Sequence, residues 1–477
     1  MSEITATDMR TESVANFRTA NGIEARGTVL RLTPQVAVIE ICTPDQILRS
    51  SEVLEDFKLL IRDRVIYSGK ALVREFLNPG TSQICSVLLD DYCFNNEFFT
   101  ALSQPGNLRQ CFRDFIGSWQ KVCTVRADYK VAVADIVTFL LDLRRWMEQV
   151  ELGIRASPSA DGSVQERAAL DAVTPEAIPV LDELFGKFEA IAAQLSAEEQ
   201  PAHRGYIQRH LHPIVLCAPF AYRSYRKPLG YAGDYEIVNM MARDPQEGSS
   251  LFAKLFNVWL LQQGSATAHR NRLVFLKRRL VEETAAAVRA GRPARILNLG
   301  CGPAIEIQEF LAESELSDHV QFTLMDFNDE TLQHTSRVLR EKQQRHQRKT
   351  KVTLVKKSVQ QLLKDVARGD GLARGTVYDF VYCAGLFDYL PDRTCKRLMG
   401  LFYQSVRPGG LVLSTNVAPT CPNRGSLELV LDWHLIYRNA REMENIWPRE
   451  ISPDPARIES DETFVNVFLE ARKPNAT

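Results

Sequence analysis

The sequence predicts an α/β protein with a doubly wound parallel sheet, preceded by a helical region and by a small N-terminal β-barrel. Short apolar strands alternate with helical segments from residue 293 onward, which is typical of a parallel sheet covered by helices. Between residues 93 and 245, apolar residues recur three and four positions apart, as they do in helices. Alternating, β-branched runs between residues 22 and 92 indicate the short strands of a barrel.

The length and composition are those of an ordinary soluble protein of two or three domains. The chain has 477 residues, of which 45% are hydrophobic and 25% are charged, and its net charge is -1. A net charge near zero gives no general attraction to nucleic acid or to anionic membranes. We expect no integral membrane segment, because no apolar run is long enough. The polar N-terminus lacks a signal-peptide pattern, and ten cysteines without a C-x-x-C pair fit reduced thiols, so a cytoplasmic location is expected, with a homodimer left open.

A metal site is not expected from the one group of clustered histidines. His203, His210 and His212 lie within ten residues of one another. On a helix, His210 and His212 would point in different directions, whereas metal ligands must converge on one face. Packing or surface roles are therefore the better interpretation of these side chains.

Changes in composition divide the chain into four parts. Residues 1–21 are predicted to be a flexible polar arm, and residues 22–92 the barrel. Residues 93–245 form the helical region, which ends in a glycine-rich loop that we interpret as a lid. Residues 246–477 contain every strand-helix unit of the predicted parallel sheet and so form the last domain.

The strand rhythm of the barrel resembles that of PilZ-type domains, which bind cyclic di-GMP. That family uses an R-x-x-x-R arm and a (D/N)-x-S-x-x-G turn. This chain has TPQVA at residues 33–37, where the turn should be. The sequence therefore favours a degenerate PilZ-like barrel with a structural or docking role over one that binds a nucleotide.

A glycine turn follows the first strand of the predicted sheet, in PARILNLGCGPAIEIQEFLAES. Gly300 permits a tight turn, and Gly302 lets the backbone approach a ligand closely. Asp326 ends the next strand, where its carboxylate is placed to accept hydrogen bonds from two ribose hydroxyls. Ligands of such sheets bind at the carboxyl ends of the strands, so a nucleoside-containing cofactor is predicted. The turn lacks the third glycine of G-x-G-x-x-G, which argues against a dinucleotide.

Four motifs, LNLGCGP, LMDFN, YDFVYCAGLFDYL and VRPGGLVLSTN, resemble in their order the class I S-adenosylmethionine-dependent methyltransferases over residues 293–477. The resemblance implies a Rossmann-like seven-stranded sheet with a final antiparallel hairpin, and S-adenosylmethionine as cofactor. One departure is Asn298, where many members carry an acid. The implied contacts are Asn298, Gly300 and Gly302 for the methionine part, Asp326 for the ribose, Phe327, Ser358 and Val359 for the adenine, and Cys383, Ala384 and Gly385 for the amino group and active site.

Three basic residues precede the first strand of the sheet on a helical segment. They are His269, Arg270 and Arg272, and they are candidates to contact the carboxylate of the cofactor. The alternative is a solvated basic helix face, which we favour more for Arg272 than for Arg270. Arg270 is therefore the predicted cofactor-binding residue of this group.

A narrower resemblance concerns the methyl acceptor. GYAGDYEIVNMM and GSATAHRNRLVFLKRRL, with the cofactor motifs, resemble a bacterial family typified by PhcB and associated with 3-hydroxypalmitic acid methyl ester, a diffusible quorum-sensing signal. The resemblance implies methylation of the carboxylate of a 3-hydroxy fatty acid. Two alternatives stay open: another small-molecule acceptor (a thioether sulfur, or a polyketide acid or hydroxyl), and a regulator with an inactive methyltransferase domain.

The turn GYAGDY follows no strand, so a phosphate-binding loop is not expected there. Gly230 and Gly233 are interpreted as the bends of a lid over the cofactor pocket. Tyr231 and Tyr235 would then reach into the pocket as candidate catalytic residues. Asp234 is expected either to cap the helix that begins there or to approach the positive charge of the sulfonium.

A long insertion at residues 416–447 is the predicted acceptor site. His434 and Arg438 lie four positions apart and would share one helical face, where they could bind a carboxylate. His434 is also a candidate base for a hydroxyl acceptor. The alternative is an amphipathic helix that covers the sheet, with Trp433 and Tyr437 as packing residues.

Overall fold

Three bodies of secondary structure follow one another along the chain in the computed structural model: a closed β-barrel, a helical body, and a sheet flanked by helices. The predicted α/β class, with a helical region and an N-terminal barrel before the sheet, is therefore confirmed. The structure describes residues 13–33, 35–42, 47–61, 64–78, 84–90, 124–156, 161–369, 377–451 and 456–475, with isolated positions between 109 and 117.

Six antiparallel strands close the barrel. They are β1 (Ser13–Arg18), β2 (Glu24–Leu32), β3 (Val36–Ile41), β4 (Val53–Ile61), β5 (Arg64–Asn78) and β6 (Ile84–Leu89). The order around the barrel is β1-β2-β3-β6-β5-β4, and β1 pairs with β4 to close it. Alternate side chains of each strand point inward, so the apolar ones fill a separate core around Phe17, Ile39 and Phe57.

The barrel begins earlier than predicted, because residues 13–18 are its first strand. The predicted flexible arm at residues 1–21 is therefore wrong for this part, and residues 1–12 lie outside the described residues. Ala15 and Phe17 are buried in the barrel core, and β1 pairs with strands on both sides. A six-residue strand with so few apolar residues shows too short an alternation to stand out in a polar segment.

The helical body packs around one apolar core, which includes Ile136, Phe188, Leu211 and Phe252. The helix that contains Phe252 begins after residue 245 and still packs in this core. The predicted domain division at residue 245 stays a prediction. The helices of this body are Ala127–Ala156, Gly162–Ala192, Gln200–Val215, Pro219–Arg226, Tyr235–Ala242 and Leu251–Gln262.

Seven strands form the sheet, as predicted. They are β7 (Ala294–Leu299), β8 (Val320–Asp326), β9 (Lys351–Lys356), β10 (Tyr378–Cys383), β11 (Val406–Val417), β12 (Arg457–Ser460) and β13 (Asn466–Arg472). Their order is β12-β13-β11-β10-β7-β8-β9. The pairs from β9 to β11 are parallel, whereas β13 is antiparallel to β11 and β12, which is the predicted final hairpin.

Helices cover both faces of this sheet, so its central strands are largely apolar and buried; all six residues of β10 are buried, including Asp379. The parallel strands β7, β8 and β10 end at the same edge, and the topology reverses between β7 and β10. Such a point opens a crevice at the carboxyl ends of the strands. The helices are Gly264–Arg289, Ile305–Glu313, Asp329–Arg345, Val359–Ala367, Asp392–Ser405 and Ala440–Asn445.

Neither a membrane-spanning helix nor a metal cluster is found in the part of the chain that the structure describes. No helix there is both long and apolar enough to cross a bilayer. No group of three or more His, Cys, Asp and Glu side chains within those residues could hold a metal ion. His203 instead accepts a hydrogen bond from the Arg126 backbone and packs edge-on against Tyr129.

A buried ion pair joins the helical body to the segment that follows β11. Arg204 donates from Nε and Nη2 to the two carboxylate oxygens of Asp432, each at 2.5 Å, and Gln208 donates to the same carboxylate at 2.8 Å. Burial alone would raise the pKa of Asp432, but the charge and hydrogen bonds of Arg204 hold it at about 2. The Asp432 carboxylate is therefore charged, and the charge of Arg204 is what keeps its pKa low.

Replacing Arg204 by alanine should lower the free energy of unfolding by about 3–5 kcal/mol, because Asp432 would stay buried without its cation. The matched control is Arg209→Ala, since Arg209 is an exposed arginine of the same helix. Thermal and urea denaturation of both variants check the prediction. Equal stability of the Arg204 variant and the wild type would show that the pair does not hold these segments together.

Candidate active site

A cavity opens at the edge where β7, β8 and β10 end. Most of the predicted cofactor-binding residues come together in its wall, although they are far apart in sequence. The lining at this edge includes Asn298, Gly300, Gly302, Asp326, Phe327, Val359, Ala384 and Gly385.

The glycine turn after β7 leaves its backbone open to the cavity. Gly300 and Gly302 adopt positive φ angles of 70° and 51°, which favour glycine. The backbone N–H groups of Gly300 and Cys301 donate to the carbonyl of Met325, so the turn is fixed against β8. A Cβ atom added to Gly302 would meet no atom within 4 Å, so this backbone faces open space.

Asp326 lies at the end of β8, next to the glycine turn. Its Oδ2 accepts a hydrogen bond from the Gly302 N–H at 3.2 Å, and its Oδ1 accepts one from the Asn328 N–H at 3.0 Å. Burial raises the pKa of Asp326, and these hydrogen bonds and the nearby charge of Arg49 oppose that rise. Because a carboxylate has about four acceptor positions, Asp326 can still accept hydrogen bonds from a ligand.

A carboxylate that the sequence reasoning missed lies beside Asn298. Glu306 Oε1 accepts hydrogen bonds from the Tyr382 hydroxyl at 2.7 Å and from Asn298 Nδ2 at 3.2 Å, and Glu306 also lines the cavity. Asn298 Oδ1 is buried and has no partner among the described residues. The signal was present in GPAIE, because the first turn of the helix after a glycine loop faces the same ligand.

His269 and Arg272 form a buried polar pair in the cavity wall. Arg272 Nη2 donates to His269 Nδ1 at 2.6 Å, and Arg272 has no ion pair with a carboxylate among the described residues. Burial lowers the pKa of His269 well below its usual value, with help from the positive charge of Arg272. The imidazole is therefore neutral with its proton on Nε2, which is buried without a partner in the described part of the chain.

Arg270, the predicted member of this group, does not line the cavity. Its guanidinium donates to the carbonyls of Leu261 at 2.8 Å and Met241 at 3.3 Å. Arg272, rather than Arg270, therefore lies in the cavity wall. Residues three apart, such as His269 and Arg272, share a helix face, whereas Arg270 points about 100° away from His269.

The predicted lid loop lies over the same edge, and both of its tyrosines line the cavity. The Tyr231 ring lies 5.0 Å from the ring of Phe327, centre to centre. The Tyr235 hydroxyl donates to Glu330 at 2.8 Å, on the helix that follows β8. Asp234 caps the helix Tyr235–Ala242 through backbone N–H groups and does not line the cavity, so the capping alternative is the one observed.

Gly233 of the lid loop packs closely against the side chain of Tyr389. Its φ angle is 69°, and a Cβ atom there would lie 2.5 Å from the Tyr389 hydroxyl. That hydroxyl accepts a hydrogen bond from Trp433 Nε1 at 3.0 Å, and both aromatic side chains line the cavity. Tyr389 was not singled out in the sequence, although it belongs to the quoted motif YDFVYCAGLFDYL.

The barrel contributes to the cavity through the segment at residues 48–52, which the sequence reasoning also missed. Val53 N–H donates to the Gly230 carbonyl at 2.8 Å, and Glu52 forms an antiparallel β-bridge with Tyr231. These contacts place Arg49 in the cavity wall, with its guanidinium carbon 3.8 Å from the ring centre of Phe327. No local sequence pattern predicts such a contact, because it joins residues that are about 180 positions apart in the chain.

The predicted acceptor pair does not form. Residues 431–439 are not helical, since Asp432 adopts a positive φ of 52° and ends the turn before it. His434 does not line the cavity, and Ser50 and Ser51 of the barrel donate hydrogen bonds to its carbonyl at 2.9 Å. Burial lowers the pKa of His434 to about 3, so the ring is neutral.

Arg438 likewise bonds to other groups of the chain. Its guanidinium donates to Asp392 and Asn416 and to the carbonyls of Phe387 and Leu390, at 2.6 to 2.9 Å. It is almost fully buried by these contacts and does not line the cavity. The predicted shared face of His434 and Arg438 is therefore wrong.

Two predicted cofactor contacts also lie just outside the cavity. Ser358 is the N-cap of the helix Val359–Ala367, where it forms a capping box with Gln361. Cys383 is fully buried in β10, and burial raises the pKa of its thiol well above the usual range. The residues that follow them, Val359 and Ala384, line the cavity instead.

Comparison with known proteins finds a similarity for the part of the chain that builds this edge. Residues 268–450 match the family model described as a methyltransferase domain. Among curated proteins, the chain has no match. A possible exported protein from Bordetella parapertussis has a solved structure that matches 67% of this chain and 99% of its own, at 18% identity and a TM-score of 0.42.

Two further solved structures that match the chain are methyltransferases with a bound ligand. Magnesium protoporphyrin IX methyltransferase from Synechocystis PCC 6803, with bound SAH, matches 53% of this chain and 98% of its own, at 12% identity and a TM-score of 0.34. The N-methyltransferase NodS from Bradyrhizobium japonicum WM9, in complex with S-adenosyl-L-homocysteine, matches 53% of this chain and 100% of its own, at 11% identity and a TM-score of 0.30. All three TM-scores are low, so the likeness to methyltransferases rests on the family model that residues 268–450 match.

Proposed function

We propose that the chain is an S-adenosylmethionine-dependent methyltransferase that methylates the carboxylate of a 3-hydroxy fatty acid. The observation that carries this proposal is one cavity lined by two unlike sets of residues: polar groups at the strand ends, here called the polar half, and apolar side chains such as Ile237, Met241 and Leu273, here called the apolar half. The polar half suits a charged nucleoside cofactor, and the apolar half suits an acyl chain. The methyl ester formed would be uncharged, which suits a diffusible quorum-sensing signal.

The polar half fits the nucleoside part of S-adenosylmethionine. Asp326 offers acceptor positions to the ribose hydroxyls, and Phe327 and Val359 offer apolar surface to the adenine. The open backbone at Gly302 leaves room for the chain that links the ribose to the amino-acid part.

Two buried donor groups fit the charged amino-acid part. Arg272 and the Nε2–H group of His269 would hold the carboxylate, because both are donors and neither has an anionic partner among the described residues. Glu306 would hold the ammonium group, directly or with the free Oδ1 of Asn298. Glu306, on the helix that follows β7, would thus replace the acid that Asn298 lacks.

Methylation of a carboxylate requires little acid-base catalysis by the protein. When bound, the cofactor supplies the methyl group that passes to one acceptor oxygen. The acceptor is already ionised at neutral pH, so no residue has to remove a proton from it. The tasks left to the chain are to align the two reactants and to exclude water from between them.

Tyr389 is the residue best placed to orient the acceptor. Its oxygen accepts the Trp433 hydrogen bond, which leaves its own proton free to donate to a carboxylate. Burial and the nearby charge of Asp388 raise the pKa of Tyr389, so it stays a donor over the physiological range. Tyr231 and Tyr235 remain proposed as lid residues that contact the cofactor or the acceptor.

An acyl tail would follow the apolar half of the cavity. A second cavity adjoins it, because Ser265 and Leu427 line both, and this second cavity is walled by Phe185, Phe220 and Trp259. We assign the end of a long acyl chain to this second cavity, which is also lined by the polar residues Asp182, Glu189 and Asn423. Apolar residues of the first cavity are Ile237, Val238, Met241, Leu273, Leu276, Leu427 and Leu435.

Replacing Asp326 by alanine should weaken binding of S-adenosylhomocysteine by at least about 100-fold, because hydrogen bonds from ribose to a buried carboxylate are lost. Isothermal titration calorimetry measures the affinity. Asp329→Ala is the matched control, since Asp329 is an exposed aspartate three positions on. Undiminished affinity of the Asp326 variant would mean that the ribose contact is misplaced.

Replacing Arg272 by methionine should weaken S-adenosylhomocysteine about 10- to 100-fold, because a charge-assisted hydrogen bond to its carboxylate is lost. Binding of 5′-methylthioadenosine, which lacks the amino-acid part, should be unchanged. Arg270→Met is the control and should affect neither ligand. Equal losses for both ligands in the Arg272 variant would argue against a carboxylate contact.

The acceptor is tested by incubating the full chain with methyl-labelled S-adenosylmethionine and 3-hydroxypalmitic acid. We expect a labelled methyl ester, detected by mass spectrometry. The control acceptor is the matching 1,3-diol, which keeps the 3-hydroxyl and the tail but lacks the carboxyl group and should stay unlabelled. Label in the diol would identify a hydroxyl acceptor, and absence of label in both would exclude this acceptor class.

A further inference from the structure

We propose that the N-terminal barrel supplies part of the cofactor site, with Arg49 as a binding residue for the adenosine end of the cofactor. This inference rests on the proposed use of S-adenosylmethionine. It assigns a role to the barrel that its sequence does not announce, because Arg49 lies between two barrel strands and more than 200 residues before the sheet begins.

The position of Arg49 points to this role. Its guanidinium carbon lies 3.8 Å from the ring centre of Phe327 and 6.0 Å from that of Tyr231. These rings stand beside Asp326, whose carboxylate is within the influence of the Arg49 charge. Arg49 therefore lies among the residues proposed for the adenine and the ribose.

The guanidinium of Arg49 stacks on Phe327 but has no hydrogen-bond partner in the described part of the chain. Arg49 is 8% exposed, yet its side chain has neither a hydrogen bond nor an ion pair among the described residues. A buried arginine normally satisfies its donors, so five N–H groups without partners point to a ligand with acceptor atoms. The ring nitrogens of adenine and the ribose oxygens are acceptors, and a planar guanidinium also stacks on aromatic rings.

The backbone around Arg49 holds it in this place. Glu52 accepts hydrogen bonds from the Arg49 N–H at 2.9 Å and from the Ala20 N–H at 3.0 Å. The Ser50 N–H donates to the carbonyl of Tyr389 at 3.1 Å, across the boundary between barrel and sheet. The segment is thus fixed both to the barrel and to the cavity wall, so the arginine is positioned before any ligand binds.

The test compares two ligands in full-length variants. Arg49→Ala should weaken S-adenosylhomocysteine and 5′-methylthioadenosine by the same factor of about tenfold, because the lost contact is at the end that both ligands share. The control is Arg31→Ala, which removes an exposed arginine of the barrel and should leave both affinities unchanged. The equal loss separates Arg49 from Arg272, whose loss should affect only the ligand with a carboxylate.

Unchanged or increased affinity of Arg49→Ala for both ligands would overturn the inference; an increase would mean that Arg49 occupies the nucleoside position. Failure of the wild type to bind either ligand would instead overturn the proposed function. Should Arg49→Ala not fold, Arg49→Lys keeps the charge and much of the stem but loses the planar group. It should then weaken both ligands about threefold, and wild-type affinities would contradict the inference.

Discussion

The site depends on a short backbone contact between the barrel and the lid loop. The Val53 N–H donates to the Gly230 carbonyl, and Glu52 pairs with Tyr231 as in an antiparallel sheet. Backbone hydrogen bonds are directional, so this pairing fixes the position and the orientation of the lid loop relative to the barrel. As a result, Arg49 from the barrel and Tyr231 from the loop meet at Phe327, which the sheet presents from the end of β8.

The rest of the site follows from the topology of the sheet. Parallel strands bring their carboxyl ends to one edge, so residues from three strand ends share a cavity with residues of the helix before the sheet. Its wall holds two basic residues, Arg49 and Arg272, and two acidic ones, Glu306 and Asp326. A cofactor with a carboxylate, an ammonium and a sulfonium is complementary to such a wall, and the apolar remainder excludes water from the transfer.

The parts of the site that could be predicted are those in which local sequence dictates local geometry. Gly300 and Gly302 need positive φ angles, and Asp326 ends an apolar strand, so their positions follow from short patterns. His434 and Arg438 were misplaced, because spacing alone assumed a helix that Asp432 interrupts. Arg49 could not be predicted, since its place depends on how the barrel docks, which no short-range pattern records.

The central claim is that barrel, lid loop and strand ends form a single cofactor site. Hydrogen–deuterium exchange of the full chain with and without S-adenosylhomocysteine tests it most directly, because backbone protection is read segment by segment. The account predicts added protection in three regions together: residues 47–53, 228–236 and 300–328. Protection confined to residues 300–328, with exchange of the barrel segment and the lid loop unchanged, would contradict it.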